Sequence, residues 1–329
     1  MKLRAIFLGL VFYQSLALSW AEDKLTNASY RLSKDFFVEY NKVFKNHWFE
    51  KTKNPVDIRL VTQSSKKNIS AIDNGLKADM IAVTLASDID KLVKMGFIDK
   101  NWRQKFPNNS SPYYTTIAFL VRKGNPKAIK DWSDLIKPKT SYIFPDPYAS
   151  TVARFVIASA LFYAQDTYSS PKEREEYMQK FHYHLATLSG GGDETAERFL
   201  KTNAIDALLT FEMEAHKIKE KYPERELEVV VPPISIFAEF PVAMLDKVVA
   251  ENNTKALTEE YLNYMYSNEV QNLITEKFHY RVGNAKIMQK QIEKFPKSDL
   301  KSMDYLGSWN DYVKNYFNKG GKWDQVMNN

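Results

Sequence analysis

Three short runs carry the residues whose types and spacing suit the binding of a small anion: Gln63-Ser64-Ser65, Ala149-Ser150-Thr151, and Ser189-Gly190-Gly191-Gly192 leading to Thr195. Each follows a β-like stretch and precedes a helical pattern, so each falls where a strand hands over to a helix. The first N–H groups of a helix have no partner inside it and carry the positive end of its dipole. With a neighbouring hydroxyl they suit an oxyanion. Ser and Thr are also ordinary helix caps, so capping competes with binding at each turn taken singly. Catalytic chemistry finds less support, because no phosphate-binding P-loop, dinucleotide fingerprint, HExxH or GxSxG pattern occurs. Five histidines are present, His47, His182, His184, His216 and His279. His182 and His184 alternate at a strand edge and could share a cation, but spacing supplies no third ligand. The chain has no cysteine, which excludes thiol catalysis, thiolate metal sites, disulfides and lipid attachment. The reading is a binder and not an enzyme, with no cofactor and no metal.

The compartment is read from the first residues. Lys2 and Arg4 precede an apolar run over residues 5–18, and Ser19-Trp20-Ala21 offers small residues before a cut, the layout of a cleavable secretory signal. Roughly 14 apolar residues fall short of the ~20 that a spanning helix needs. Cleavage after Ala21 removes two cations and no acid, so the net charge falls from +6 to +4. That mild excess favours anionic ligands and is too small to argue for nucleic acid. A periplasmic location is expected, with no partner required to hold the chain in an oligomer.

The elements that must position these turns alternate. Strands are expected over residues 25–29, 56–62, 80–85, 117–121, 141–144, 184–188, 207–210 and 240–245. Helices are expected over 34–51 (Ser33 as its cap), from the turn at 63–65 to about 77, and over 88–95, 151–164, 172–181, 194–202 and 212–221. The order βαβα argues for mostly parallel sheets covered by helices. Open α/β sheets bind ligands outside the carboxyl ends of their strands, where the three turns lie.

The longer runs around these turns resemble the periplasmic sulfate- and thiosulfate-binding proteins of ABC transporters. The resemblance covers nearly the whole chain after the signal. It is carried by residues 98–102 (IDKNW), 107–112 (PNNSSP), 117–126 (IAFLVRKGNP), 131–138 (DWSDLIKP), 204–215 (AIDALLTFEMEA), 234–247 (ISIFAEFPVAMLDK), 261–267 (YLNYMYS) and 320–325 (GGKWDQ). It implies the α/β, two-lobed type II periplasmic-binding-protein fold, each lobe a mixed, mostly parallel sheet flanked by helices. Two crossover strands are implied near residues 115–122 and 240–245. The implied division is a signal peptide over 1–21, lobe 1 over 22–116, lobe 2 over 117–240, and a return to lobe 1 with C-terminal helices over 241–329. The implied function is capture of a small oxyanion in the interlobe cleft and delivery to an inner-membrane ABC permease.

Carried over residue by residue, the resemblance implies ligand-binding positions at Tyr30, Arg31, Ser64, Ser65, Ser150, Thr151, Arg154, Thr195 and Phe211. Several depart from the family pattern. Its glycine-rich loop becomes Gln63–Lys66 without glycines, and its Ser-Gly-Gly-Ala-Arg turn becomes Ser150-Thr151-Val152-Ala153-Arg154. The arginine and glycine before Thr195 become Asp193 and Glu194. A donor tryptophan becomes Phe211, which has no donor, and an aspartate becomes Arg31. Arg31 either contacts the ligand or pairs with Asp193 or Glu194. Unaltered sulfate specificity does not follow. The alternatives are another small anion or zwitterion as ligand, or an exported interaction protein on the same scaffold without sulfate binding.

Overall fold

The computed structural model describes residues 22–328, so the expected signal segment lies outside the described residues. The first sheet is built from β1 (Asp23–Tyr30), β2 (Val56–Gln63) and β3 (Met80–Ala82), all parallel with β1 in the middle. Helix α1 (Lys34–Thr52) buries Phe36, Phe37, Tyr40, Phe44 and Trp48, an apolar stripe at helical spacing. Ser33 does not cap it: the Ser33 hydroxyl donates to the Tyr30 carbonyl instead (2.6 Å), because a single 3-10 turn joins β1 directly to α1.

Helix α2 (Ser65–Asp73) stops short of the expected end near residue 77. Gly75 sits at φ +99°, Leu76 N–H donates to Ala71 O and Gly75 N–H to Ile72 O. That is the Schellman termination, open to glycine because it has no Cβ. Helix α3 (Ala86–Lys94) follows β3, and a short, irregular α4 (Pro107–Ser110) leads to the first crossing.

Strand β4 (Tyr114–Thr115) opens that crossing, and β5 (Ile117–Val121) enters the second sheet. The second sheet continues with β6 (Tyr142–Pro145), helices α5 (Thr151–Thr167) and α6 (Pro171–Tyr183), β7 (Leu185–Ser189), α7 (Gly192–Lys201), β8 (Ala207–Phe211), α8 (Glu212–Lys221) and β9 (Glu228–Val230). Its order is β7-β6-β8-β5-β9, with β6, β7 and β8 parallel and β5 antiparallel to both neighbours. Every residue of β5 is buried, as a continuous apolar run in a central strand should be.

The chain returns through β10 (Ile234–Ile236), β11 (Ala238–Glu239) and β12 (Val242–Met244). Strand β11 pairs antiparallel with β4, Ala238 opposite Thr115 and Glu239 opposite Tyr114, so both crossings run side by side. Strand β12 then joins the first sheet antiparallel to β3. Helices α9 (Asp246–Asn252), α10 (Lys255–Tyr264) and α11 (Asn268–Lys277) follow, and Tyr261 of α10 accepts a hydrogen bond from Asn27 on β1 (3.0 Å). After α12 (Ala285–Lys290), β13 (Asp299–Lys301) pairs with β10. The last helices, α13 (Trp309–Phe317) and α14 (Lys322–Asn328), pack on the second sheet's side. Trp309 meets Phe155 of α5 at 4.8 Å, and Trp323 meets Phe144 of β6 at 6.2 Å.

Candidate anion-binding cleft

The carboxyl ends of the two sheets meet at Phe240, on the second crossing. Tyr30, the last residue of β1, stacks on Phe240 at 5.3 Å, and Phe211, the last residue of β8, meets it edge to face at 5.8 Å. The three rings are 2%, 1% and 2% exposed, so no solvent separates the two strand ends there. The Tyr30 hydroxyl lies 3.4 Å from those of Tyr113 and Tyr280, and burial holds its pKa well above the ordinary phenol value. Phe211 continues the wall to Phe155 at 5.4 Å. Phe211 is therefore a packing residue in an aromatic wall, and Tyr30 its counterpart from the first sheet.

Around this wall each parallel strand releases a helix, and the acids in the first turns separate those helices into two kinds. Helices α1, α3, α7 and α8 open with Asp35, Asp88, Asp193 with Glu194, and Glu212 with Glu214. Helices α2 and α5 open with no acid at all. A carboxylate near a helix start already occupies the positive end of the dipole and repels a second anion. An acid-free start leaves its N–H groups to an outside anion.

At the α2 start both hydroxyl oxygens accept main-chain bonds, which leaves their O–H groups to donate. Ser64 is the cap, its oxygen accepting from Lys67 N–H (3.3 Å), and the buried Ser65 accepts from Thr84 N–H (3.4 Å). Asn68, fully buried one turn later, donates to Ser29 O (2.8 Å) and ties α2 to β1. At the α5 start, Ser150 makes no capping bond through its side chain, and its N–H donates to Asp146 O (2.8 Å). Neither the Ser150 nor the Thr151 hydroxyl has a hydrogen-bond partner among the described residues. Arg154 steadies this turn from within α5: its Nε donates to Pro147 O (2.7 Å) and its guanidinium lies over Phe317.

The third predicted turn differs. Thr195 is fully buried, and both its N–H and its hydroxyl donate to Gly191 O (3.1 and 2.9 Å). A Cβ on Gly190 would lie 2.5 Å from Glu194 Oε2, so the Glu194 carboxylate folds back over the residues that precede α7. Arg31 pairs with neither Asp193 nor Glu194. It is exposed at the β1 exit and makes no ion pair among the described residues.

The sequence reading missed the main charged contact. Glu212, 0% exposed, accepts two hydrogen bonds from Arg281, 5% exposed, at 2.6 and 2.7 Å. The Arg281 main chain also pairs with Tyr114 on the first crossing, and Glu212 N–H donates to Thr116 O (2.8 Å). The pair thus clamps the α8 start onto the hinge. Burial pushes the Glu212 pKa up, and the arginine pulls it back. A sequence separation of 69 hides this contact from local pattern. Two of the five histidines are also neighbours: the rings of His216 and His279 lie 5.5 Å apart, and burial pushes His216 down to about 3. No group of three metal-ligating side chains forms among the described residues.

A family profile described as bacterial extracellular solute-binding protein matches residues 34–281. The chain belongs to that family. This solute-binding protein is 37% identical over 310 residues to a thiosulfate-binding protein of Escherichia coli K12, covering 92% of this chain and 91% of the relative. It is 37% identical over 305 residues to a sulfate-binding protein of Salmonella typhimurium, covering 92% of each. Among solved structures, the sulfate-binding protein SubI from Mycobacterium tuberculosis shares its fold, with a TM-score of 0.71 at 22% identity over 90% of this chain and all of the other. The mixed, helix-flanked sheets and paired crossings of the solute-binding protein agree with the implied fold.

Proposed function

We propose that this protein is the exported solute-binding component of an ABC transporter and captures a small oxyanion of the sulfate or thiosulfate type between its lobes. The observation that carries the reading is the pair of acid-free helix starts, α2 and α5, one on each sheet. The ligand sits against the main-chain N–H groups at Ser64, Ser65, Thr151 and Val152, with the free hydroxyls of Ser150 and Thr151 as added donors. Tyr30 and Phe211 form its apolar wall, and Arg31 at the β1 exit adds positive charge. Arg154 holds the α5 turn in place, and Thr195 lies outside the contact set. The names of the relatives support the ligand class.

The lobes comprise residues 22–116 and 117–240, with 241–329 returning through β12. The N-terminal segment is cut after Ala21, and the monomeric product hands its ligand to an inner-membrane permease from the periplasm. The relatives are named as binding proteins, which supports binding rather than turnover.

Titration calorimetry with sulfate, thiosulfate, molybdate and phosphate tests the reading. One-to-one heats with sulfate or thiosulfate are expected. The absence of heat with all four oxyanions refutes it.

A further inference from the structure

We infer that the preferred ligand is larger than an inorganic oxyanion: an organic sulfonate bearing a second acidic group. This rests on the oxyanion reading above and deepens it. Beside the aromatic wall lies a cavity of about 310 Å3, lined by Leu85, Ser87 and Lys91 around the α3 start, by Arg154 of α5, and by Trp309 and Lys314 of α13. Small-molecule sites begin at about this volume, whereas a tetrahedral ion displaces only a few waters, each about 30 Å3.

The cavity is cationic beyond its own needs. Lys91 is held by Asp88, which shares the cavity, at 2.7 Å. Lys314 and Arg154 have no acidic partner among the described residues, and only Nε of Arg154 is committed, to Pro147 O. Its terminal nitrogens remain a fork suited to a carboxylate. The cavity also has an apolar side. Trp309 is half-buried and stacks obliquely on Phe155, which itself touches Phe211, so one continuous aromatic surface runs from the wall into the cavity.

The two subsites are close. Thr151 and Arg154 stand three residues apart on α5, so their Cβ atoms lie about 5–6 Å from each other on one face. A single ring spans that interval, with the sulfonate at the acid-free helix start, the ring against Trp309, and the second acid on Arg154 and Lys314.

Calorimetry with sulfate, benzenesulfonate and para-sulfobenzoate, on the wild-type protein and on Trp309→Ala, Trp309→Phe and Lys314→Gln, tests this. Para-sulfobenzoate is expected to bind at least about tenfold more tightly than sulfate. Trp309→Ala should weaken para-sulfobenzoate about tenfold and leave sulfate within about twofold, Trp309→Phe should restore most of the loss, and exposed Lys314→Gln should reduce the preference for para-sulfobenzoate over benzenesulfonate about threefold. Retained sulfate binding reports that each variant is folded. Sulfate binding with no advantage for para-sulfobenzoate overturns the inference and leaves the oxyanion reading standing. Equal losses for both ligands in Trp309→Ala also overturn it. Para-sulfobenzoate binding without sulfate binding supports the inference and removes the inorganic ligand.

Discussion

Helices α5 and α7 leave neighbouring parallel strands of one sheet, yet their first turns are opposites. The α5 start has no acid and a serine whose hydroxyl is uncommitted. The α7 start has Asp193 and Glu194, with the Glu194 carboxylate folded back over Gly190. The family resemblance implies a ligand turn at both positions, but only one offers an anion an unoccupied dipole end. The lesson is that a strand-to-helix turn is an anion seat through what its first turn lacks as much as through what it presents. A hydroxyl at the right position does not suffice. Thr195 of α7 shows this, since its hydroxyl already donates to Gly191 O.

Four variants break or sharpen that contrast. The largest effect belongs to the third start in the same sheet, α8, whose acid is tolerated only because Arg281 neutralises it. Arg281→Ala leaves Glu212 as an uncompensated buried charge and should cost about 3–5 kcal/mol of stability in chemical denaturation. A loss below about 1 kcal/mol would mean the clamp does not hold the hinge. Next, Thr151→Glu gives α5 the acid that α7 has. Oxyanion affinity should fall about a hundredfold, near 2.7 kcal/mol, and Thr151→Gln should retain most of it. Equal losses in both would assign the effect to shape.

The reverse change is smaller. Asp193→Asn combined with Glu194→Gln should raise oxyanion affinity up to about tenfold by removing two nearby like charges. An unchanged dissociation constant would place α7 outside the field of the ligand altogether. The smallest effect is Ser64→Ala, which removes a cap and should cost about 1 kcal/mol of stability while leaving affinity within about twofold. A tenfold loss of affinity there would return the Ser64 hydroxyl to the ligand.

The fold was legible because its signals are local. Apolar periodicity placed α1, β5 and α8 to within a residue or two, and the βαβα order announced parallel sheets. The failures have local causes too. Gly75 ended α2 early through a left-handed turn that helical periodicity does not register. The short strands β4 and β11 owe their form to each other across the hinge rather than to alternation. The site was legible in part. Its turns stand out in the sequence as hydroxyl-rich junctions, as do the acids at 193 and 194. Which hydroxyls have already given up their donor depends on partners such as Gly191 O for Thr195, and Arg31 makes no pair with Asp193 or Glu194 among the described residues. The Glu212–Arg281 clamp joins residues from α8 and the return segment, a pairing that only the folded chain brings together.

The account holds that a tetrahedral anion rests between the α2 and α5 starts. Crystals of the protein grown with selenate, read by selenium anomalous scattering, test that position directly. The account predicts one strong peak within hydrogen-bond reach of the main-chain N–H groups of Thr151 and Val152, and a weaker one or none at α7. A cleft empty of anomalous density, or a peak seated at Asp193 and Glu194, contradicts it.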